Sequence, residues 1–401
     1  MKLDITTYMD NFLDKELVKK YSSRKEEVFQ KLDTAYMNGW LSPDESSADE
    51  ILKVRDKVFS HSKCLVVVGI GGSFLGSCAL YSMFTPYFKK QDFQIIFAGT
   101  TLSSSYMKEL LEYLEGVDFS VNVISKSGTT METSLTYSAI KKIMDKKYSI
   151  EEIRNRIIVT TDSVKGNLRR EVEEVGYSSF VIPDNIGGRY SLLTPAHLFP
   201  LSFCIDIREL ISGYMEGLKL KEEAFSYAVV RRSMFDQRKV IENFVTYENN
   251  FYYYMEWLKQ LFGETEGKNG KGIFPSSMIH TRDLHSLGQF VQEGNKILFE
   301  TFFKIKNSSS CFIDGKALYP INLVVEDSVI AAHVSGGVPC IVLEIDEVSP
   351  RNLGEVSSFF FLVAALSGYL FDVDPFNQPG VEVYKSEVRS RLNSIGEKYE
   401  K

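Results

Sequence analysis

From position 64 onward the chain alternates short apolar runs with longer stretches of helical texture, and this alternation restricts the fold more than any other feature. Runs at 64–68, 93–98, 121–124, 156–160 and 179–182 are β-like, and stretches at 75–88, 103–115 and 130–146 read as helices. Strands separated by helices at this spacing predict a parallel sheet covered on both faces. In such a sheet a ligand sits beyond the carboxyl ends of the strands. Two loops begin where a strand gives way to a helix: Gly69-Ile70-Gly71-Gly72-Ser73 and Ser125-Lys126-Ser127-Gly128-Thr129-Thr130. They should share one rim. The first 60 residues are charged and periodic, which predicts two or three helices packed on another part of the molecule. In the second half, strands are expected at 240–246, 297–305 and 337–345, and helices at 250–262, 286–295, 353–371 and 381–400. A second α/β unit is the economical reading, with 184–190 as the crossing between halves.

The 401 residues suffice for two domains of ordinary size. A net charge of −7 gives no support to a nucleic-acid surface, although a local cluster of donors can still bind an anionic substrate. The N-terminus runs into charged sequence without an apolar core, so no signal segment is expected. The apolar run at 357–371 contains Ser367 and Gly368 and is shorter than the roughly 20 residues that span a bilayer; it reads as a buried helix. Five scattered cysteines without a CxxC pair fit reduced thiols in a cytoplasmic protein.

The glycine run after the first strand is not a dinucleotide fingerprint, because Phe74 stands where the third glycine is required and no acidic residue follows at the expected distance. It is not a P-loop either. Two readings stand: a structural turn, or a turn whose backbone approaches a ligand. Ser125, Ser127, Thr129 and Thr130 surround a flexible glycine at a helix start, and one hydroxyl would suffice for a cap. Four favour an anion site helped by the positive helix end. Arg189 follows Gly187-Gly188, where it is either a surface loop residue or a fixed charge that stabilises an oxyanion. Glu264, in Glu264-Thr265-Glu266-Gly267-Lys268, and His285, in Asp283-Leu284-His285-Ser286, are candidate proton carriers placed on loops. Glu266 and Glu293 compete with Glu264. His197 and His333 read as core residues, and nothing local marks out Lys385. No HExxH motif or His/Cys cluster occurs, so a metal mechanism is not expected.

Taken in order, Gly69–Ser73, Ser125–Thr130, Asn185-Ile-Gly-Gly-Arg-Tyr-Ser191, Gln260-Leu-Phe-Gly-Glu-Thr-Glu-Gly-Lys268, Asp283-Leu-His-Ser-Leu-Gly-Gln289 and Asn377-Gln-Pro-Gly-Val-Glu382 resemble the glucose-6-phosphate isomerase family in its shorter bacterial form. The blocks span about 60 to 390. The resemblance implies an α/β fold of two αβα sandwich domains of sugar-isomerase (SIS) type with parallel-sheet cores, plus N-terminal helices and a C-terminal helical tail. The implied division is 1–60 for helices packing on the larger domain, 61–185 for the smaller domain and 186–401 for the larger. It also implies a cytoplasmic homodimer that acts on a sugar phosphate, without cofactor, metal, nucleic acid or membrane. His285 would be shared across the interface.

Carried over by position, Glu264 matches the base that moves a proton between C2 and C1, and His285 the residue that helps open the ring. Lys385 matches the lysine at the ring oxygen and Arg189 the arginine that stabilises the enediolate. Ser125, Lys126, Ser127 and Thr130 match the phosphate loop, with Gly72, Ser73 and Gln260 along the sugar. The implied reaction interconverts glucose 6-phosphate and fructose 6-phosphate. Rivals are a dual enzyme that also takes mannose 6-phosphate and a non-catalytic sugar-phosphate sensor. The stretch around 306–323 is shorter than the family pattern, and His333-Val-Ser-Gly-Gly-Val departs from His-Thr-Asp-Gly-Gly-Val.

Overall fold

The computed structural model describes residues 1–4, 8–128, 130–309 and 311–394. Thr129 of the hydroxyl loop, Ser310 and the end of the expected last helix lie outside the described residues. The chain falls into two compact units, Tyr36–Arg208 with Gln378–Lys401, and Met1–Ala35 with Glu209–Asn377. These bounds differ from those read at 60 and 185. The Gly39 amide donates to the Asn185 carbonyl at 3.1 Å, and Arg208 pairs with Asp49, so 36–60 and 185–208 are bonded to each other within one unit.

The Tyr36–Arg208 unit holds a five-stranded parallel sheet in the order Gln94–Ala98, Cys64–Val68, Phe119–Ile124, Ile157–Thr161, Ser178–Val181. The three central strands are buried along their whole length. That is why they read as continuous apolar runs, and it requires cover on both faces. On one face Val66, Val121 and Val159 pack in a cluster with Leu114, Ile140 and Met144. The chain passes from Cys64–Val68 outward to Gln94–Ala98, then crosses back to Phe119–Ile124 on the other side. The strand order therefore reverses between Cys64–Val68 and Phe119–Ile124, and a crevice is expected beyond their carboxyl ends. Those two ends carry the glycine turn and the hydroxyl loop.

The Glu209–Asn377 unit repeats the plan. Its sheet runs Lys2–Asp4, Cys340–Ile345, Leu298–Ile305, Ile241–Thr246, Phe274–Ile279, with only the first strand antiparallel. Helix Pro350–Leu370 is long and apolar enough to cross a membrane, but it is the core helix of this unit and almost wholly buried. Its Phe360 ring meets Phe244, Phe262 and Phe303. Strand Phe274–Ile279 and helix Leu318–Ser335 are absent from the sequence reading. Phe274–Ile279 is an edge strand carrying Pro275 and two serines, a composition that edges tolerate and centres do not. The stretch expected as a shortened loop forms a hairpin, Phe312–Ile313 with Lys316–Ala317, and the start of Leu318–Ser335.

Candidate active site

In the Tyr36–Arg208 unit, the Ser125 amide donates to the Thr160 carbonyl at 3.1 Å, and the Ser125 carbonyl accepts from the Thr161 hydroxyl at 2.7 Å. These bonds fix the loop at the strand end. The Ser125 hydroxyl then accepts from the Gly128 amide at 3.0 Å. Gly128 has φ +68, and a Cβ there would stand 3.1 Å from the Asn167 nitrogen, so the turn needs glycine on both counts. Thr130 is the N-cap of the 17-residue helix Met131–Lys147, yet its side chain makes no capping bond. A helix start of this kind offers backbone amides to an acceptor. Lys126 instead reaches the Pro183 and Asp184 carbonyls, both at 3.2 Å.

The glycine turn lies beside the Arg189 turn. A Cβ on Gly72 would meet the Gly188 carbonyl carbon at 2.4 Å, and Gly71 has φ +56. Both positions require glycine, the first because backbone meets backbone and the second because of its left-handed φ. Ser73 lies in the same short 3-10 turn, Gly71–Ser73. Arg189, in the turn Gly188–Tyr190, is 1% exposed, and its guanidinium lies 5.7 Å from the Tyr190 ring centre; this is no surface arginine. Lys385 belongs to the same unit. It is exposed on helix Pro379–Ser394, with its amine 3.0 Å from Glu382.

In the other unit, Glu264 is not on a loop. It sits in the last turn of helix Tyr252–Glu266, which runs through Gly263. Gln260, one turn earlier, donates from its amide nitrogen to the Glu264 carboxylate at 3.0 Å, and its own buried oxygen has no partner among the described residues. The three competing carboxylates now separate. Glu266 is fully buried and held by both oxygens on Arg231, each 2.8 Å from the guanidinium. It also accepts from the Ile273 amide at 3.3 Å. Glu293 is exposed, bonded to Gln289 at 2.5 Å. Glu264 alone of the three is half-buried, at a helix end and bonded to Gln260.

Arg231 is a residue the sequence reading missed. Ala224, Tyr227, Ala228, Arg231 and Met234 recur at helical spacing on the buried face of Lys221–Asp236, so an arginine in that series signals a buried ion pair. It also faces Glu242, which accepts from Tyr227 and, at 2.8 Å, from Thr301.

His285 is exposed in the turn Arg282–His285, beyond the carboxyl end of Phe274–Ile279; the Asp283 carboxylate accepts from the Ile279 amide at 2.7 Å. Glu266 meets Ile273, before the amino end of the same strand. Glu264 and His285 therefore lie at opposite edges of this sheet, separated by a six-residue strand of about 20 Å. One copy of the unit does not bring them together.

Residues 53–269 match the phosphoglucose isomerase family model. A curated relative from Clostridium tetani, named glucose-6-phosphate isomerase, is 41% identical over 391 residues, covering 89% of this chain and 87% of that protein. The chain belongs to the phosphoglucose isomerase family. Solved structures agree on the fold. A hypothetical protein from Thermus thermophilus matches with TM-score 0.86 at 24% identity, over 98% of this chain and 99% of that one. A glucose-6-phosphate isomerase from Chlamydia trachomatis matches with TM-score 0.74 at 18% identity, over 98% and 86%. Membership accounts for the two α/β units with parallel cores, and the family match covers both the hydroxyl loop and Glu264.

Proposed function

We propose that this protein interconverts glucose 6-phosphate and fructose 6-phosphate through a cis-enediolate, and that it does so as a cytoplasmic homodimer. The observation that carries the reading is the 41% identity to a glucose-6-phosphate isomerase across nearly the whole chain. The loop Ser125–Thr130 takes the phosphate, with Ser125, Ser127 and Thr130 as hydroxyl ligands and Lys126 supplying charge nearby. Gly72, Ser73 and Gln260 line the sugar. His285 and Lys385 assist ring opening, which exposes the C1 aldehyde. Glu264 takes the C2 proton and returns it to C1, while the hydroxyl proton passes from O2 to O1. Arg189 stabilises the enediolate oxygen that bears charge between those steps. The substrate's own carbonyl acidifies the proton that moves, so the reaction asks for no cofactor.

Two observations support the shared-site dimer. Glu264 and His285 stand at opposite edges of one sheet, so a site that uses both draws on two copies. Phe312, Ile313, Leu318, Ile321 and Val324, contiguous in the hairpin and the helix after it, are exposed, as an interface core requires. Mixed refolding tests this. Glu264→Gln and His285→Asn homodimers are each expected to be nearly inactive, and an equal mixture is expected to regain roughly a quarter of wild-type activity, because half the dimers hold one intact site. A mixture as inactive as its parents, or an active monomer by light scattering, contradicts the reading.

A further inference from the structure

A buried histidine holds the glycine turn from behind. His197, in helix Pro195–Leu201, is 2% exposed, and by burial alone it would pass as core filling. Its bonds say otherwise. The Ser77 amide donates to His197 Nδ1 at 3.0 Å. A backbone amide can only donate, so Nδ1 is bare and the ring proton sits on Nε2. Nε2 lies 2.7 Å from the Gly72 carbonyl and 3.1 Å from the Ser191 hydroxyl oxygen. That hydroxyl donates to the Gly188 carbonyl at 2.6 Å. A single ring thus joins three segments: the first turn of helix Leu75–Phe84, the glycine turn, and the turn that carries Arg189. The fit is close, since a Cβ on Gly76 would meet His197 Cε1 at 3.1 Å. Burial pushes the His197 pKa down to about 4, so the ring stays neutral and keeps this tautomer at physiological pH.

We propose that His197 is a positioning residue for sugar-phosphate binding: by donating from Nε2 to the Gly72 carbonyl it fixes the Gly72–Ser73 peptide plane against the Arg189 turn. The plane sets the direction in which Ser73 leaves the backbone, and the Ser191 link sets the distance to Gly188. An apolar side chain of similar size would fill the space without aiming either turn. The inference rests on the isomerase reading of those two turns.

The test compares His197→Leu, which removes all three contacts, with His197→Gln, whose side-chain amide can donate to the Gly72 carbonyl. KM and kcat for glucose 6-phosphate are measured alongside the melting temperature. His197→Leu is expected to raise KM roughly tenfold, with a smaller change in kcat. His197→Gln should return KM to within about threefold of wild type even where its melting temperature stays lowered. Wild-type KM in His197→Leu, or KM values in the two variants that track melting temperature alone, overturns the positioning role. Should His197→Leu fail to fold, the shorter His197→Asn replaces it, and equal KM in the Asn and Gln variants has the same meaning. The wild-type control keeps the failures apart: a wild type without turnover removes the isomerase reading and this inference with it, whereas an active wild type with indifferent variants removes only this one.

Discussion

The two units share one construction, with a sheet whose first parallel strand has its successor on one side and the rest on the other, yet they place their candidate residues at different edges. In the Tyr36–Arg208 unit the chemistry gathers where strands end and helices begin. Ser125–Thr130, Gly72, Ser73 and Arg189 all belong to that rim, where helix starts and turns offer N–H donors to an anion. In the Glu209–Asn377 unit Glu264 sits at the opposite edge, in the last turn of a 15-residue helix. Helix ends offer carbonyls and no spare N–H groups, which suits a proton acceptor better than a phosphate. His285 returns to the carboxyl edge of the same sheet. One fold plan used twice thus carries the hydroxyl loop at the carboxyl edge of one sheet and Glu264 at the amino edge of the other.

The contrast is sharpest in kinetics. Glu264→Gln is expected to lower kcat by about 10²–10⁴-fold while substrate binding, measured by calorimetry, stays near wild type. Equal losses in binding and turnover would erase the distinction between base and cradle. Next in size is the support beneath the base. Arg231→Met leaves Glu266 and Glu242 buried without their cation, and a loss of about 3–5 kcal/mol in urea unfolding is expected; a loss under about 1 kcal/mol would mean the pair does not anchor that helix end.

The third prediction concerns acid. His197 and His280 are buried in different units, and burial pushes both pKa values down to about 4. The unfolded chain takes up those protons near pH 6.5. By linkage, their contribution to stability is complete above that pH and is lost as pH falls toward 4. Between pH 6.5 and 5 the loss is on the order of 2 kcal/mol for each ring. Glu326, pushed up to about 8 by burial, acts in the opposite sense, favouring the fold as pH falls from 8 toward 4.5. The clean reading is therefore the difference between wild type and His197→Gln, in which the variant should lose less stability over that interval. Parallel curves would show that His197 does not titrate on unfolding.

The smallest effect belongs to single ligands of the cradle. Ser127→Ala and Thr130→Val should each raise KM for sugar phosphate about tenfold with kcat nearly kept. A change confined to kcat would move these residues from binding to chemistry.

Much of this contrast was legible in the sequence, for physical reasons that also explain the gaps. Strands such as Cys64–Val68 and Phe119–Ile124 are buried on both faces, so they appear as unbroken apolar runs, and the loops that follow them could be placed on one rim. The edge strand Phe274–Ile279 has one neighbour and tolerates Pro275, so its composition resembles a loop. That omission hid the separation of Glu264 from His285: without a strand between them, 21 positions of sequence (285 − 264) look like proximity. Gly263 and Gly267 made the Glu264 segment look like a loop, although the helix passes through the first glycine and ends at the second. His197 was legible as buried but not as bonded, because two of its three partners are backbone groups of residues more than a hundred positions away. Roles for Glu264, His285 and Lys385 came from resemblance to a family and not from local pattern.

The central claim is that Glu264 moves a carbon-bound proton of a hexose phosphate. Purified protein incubated with glucose 6-phosphate in deuterated water, followed by proton NMR, tests it most directly. The account predicts that fructose 6-phosphate appears and that deuterium enters C2 of glucose 6-phosphate and C1 of fructose 6-phosphate, with both signals lost in Glu264→Gln. Binding of the sugar phosphate with neither interconversion nor deuterium uptake, or full activity in Glu264→Gln, would contradict it.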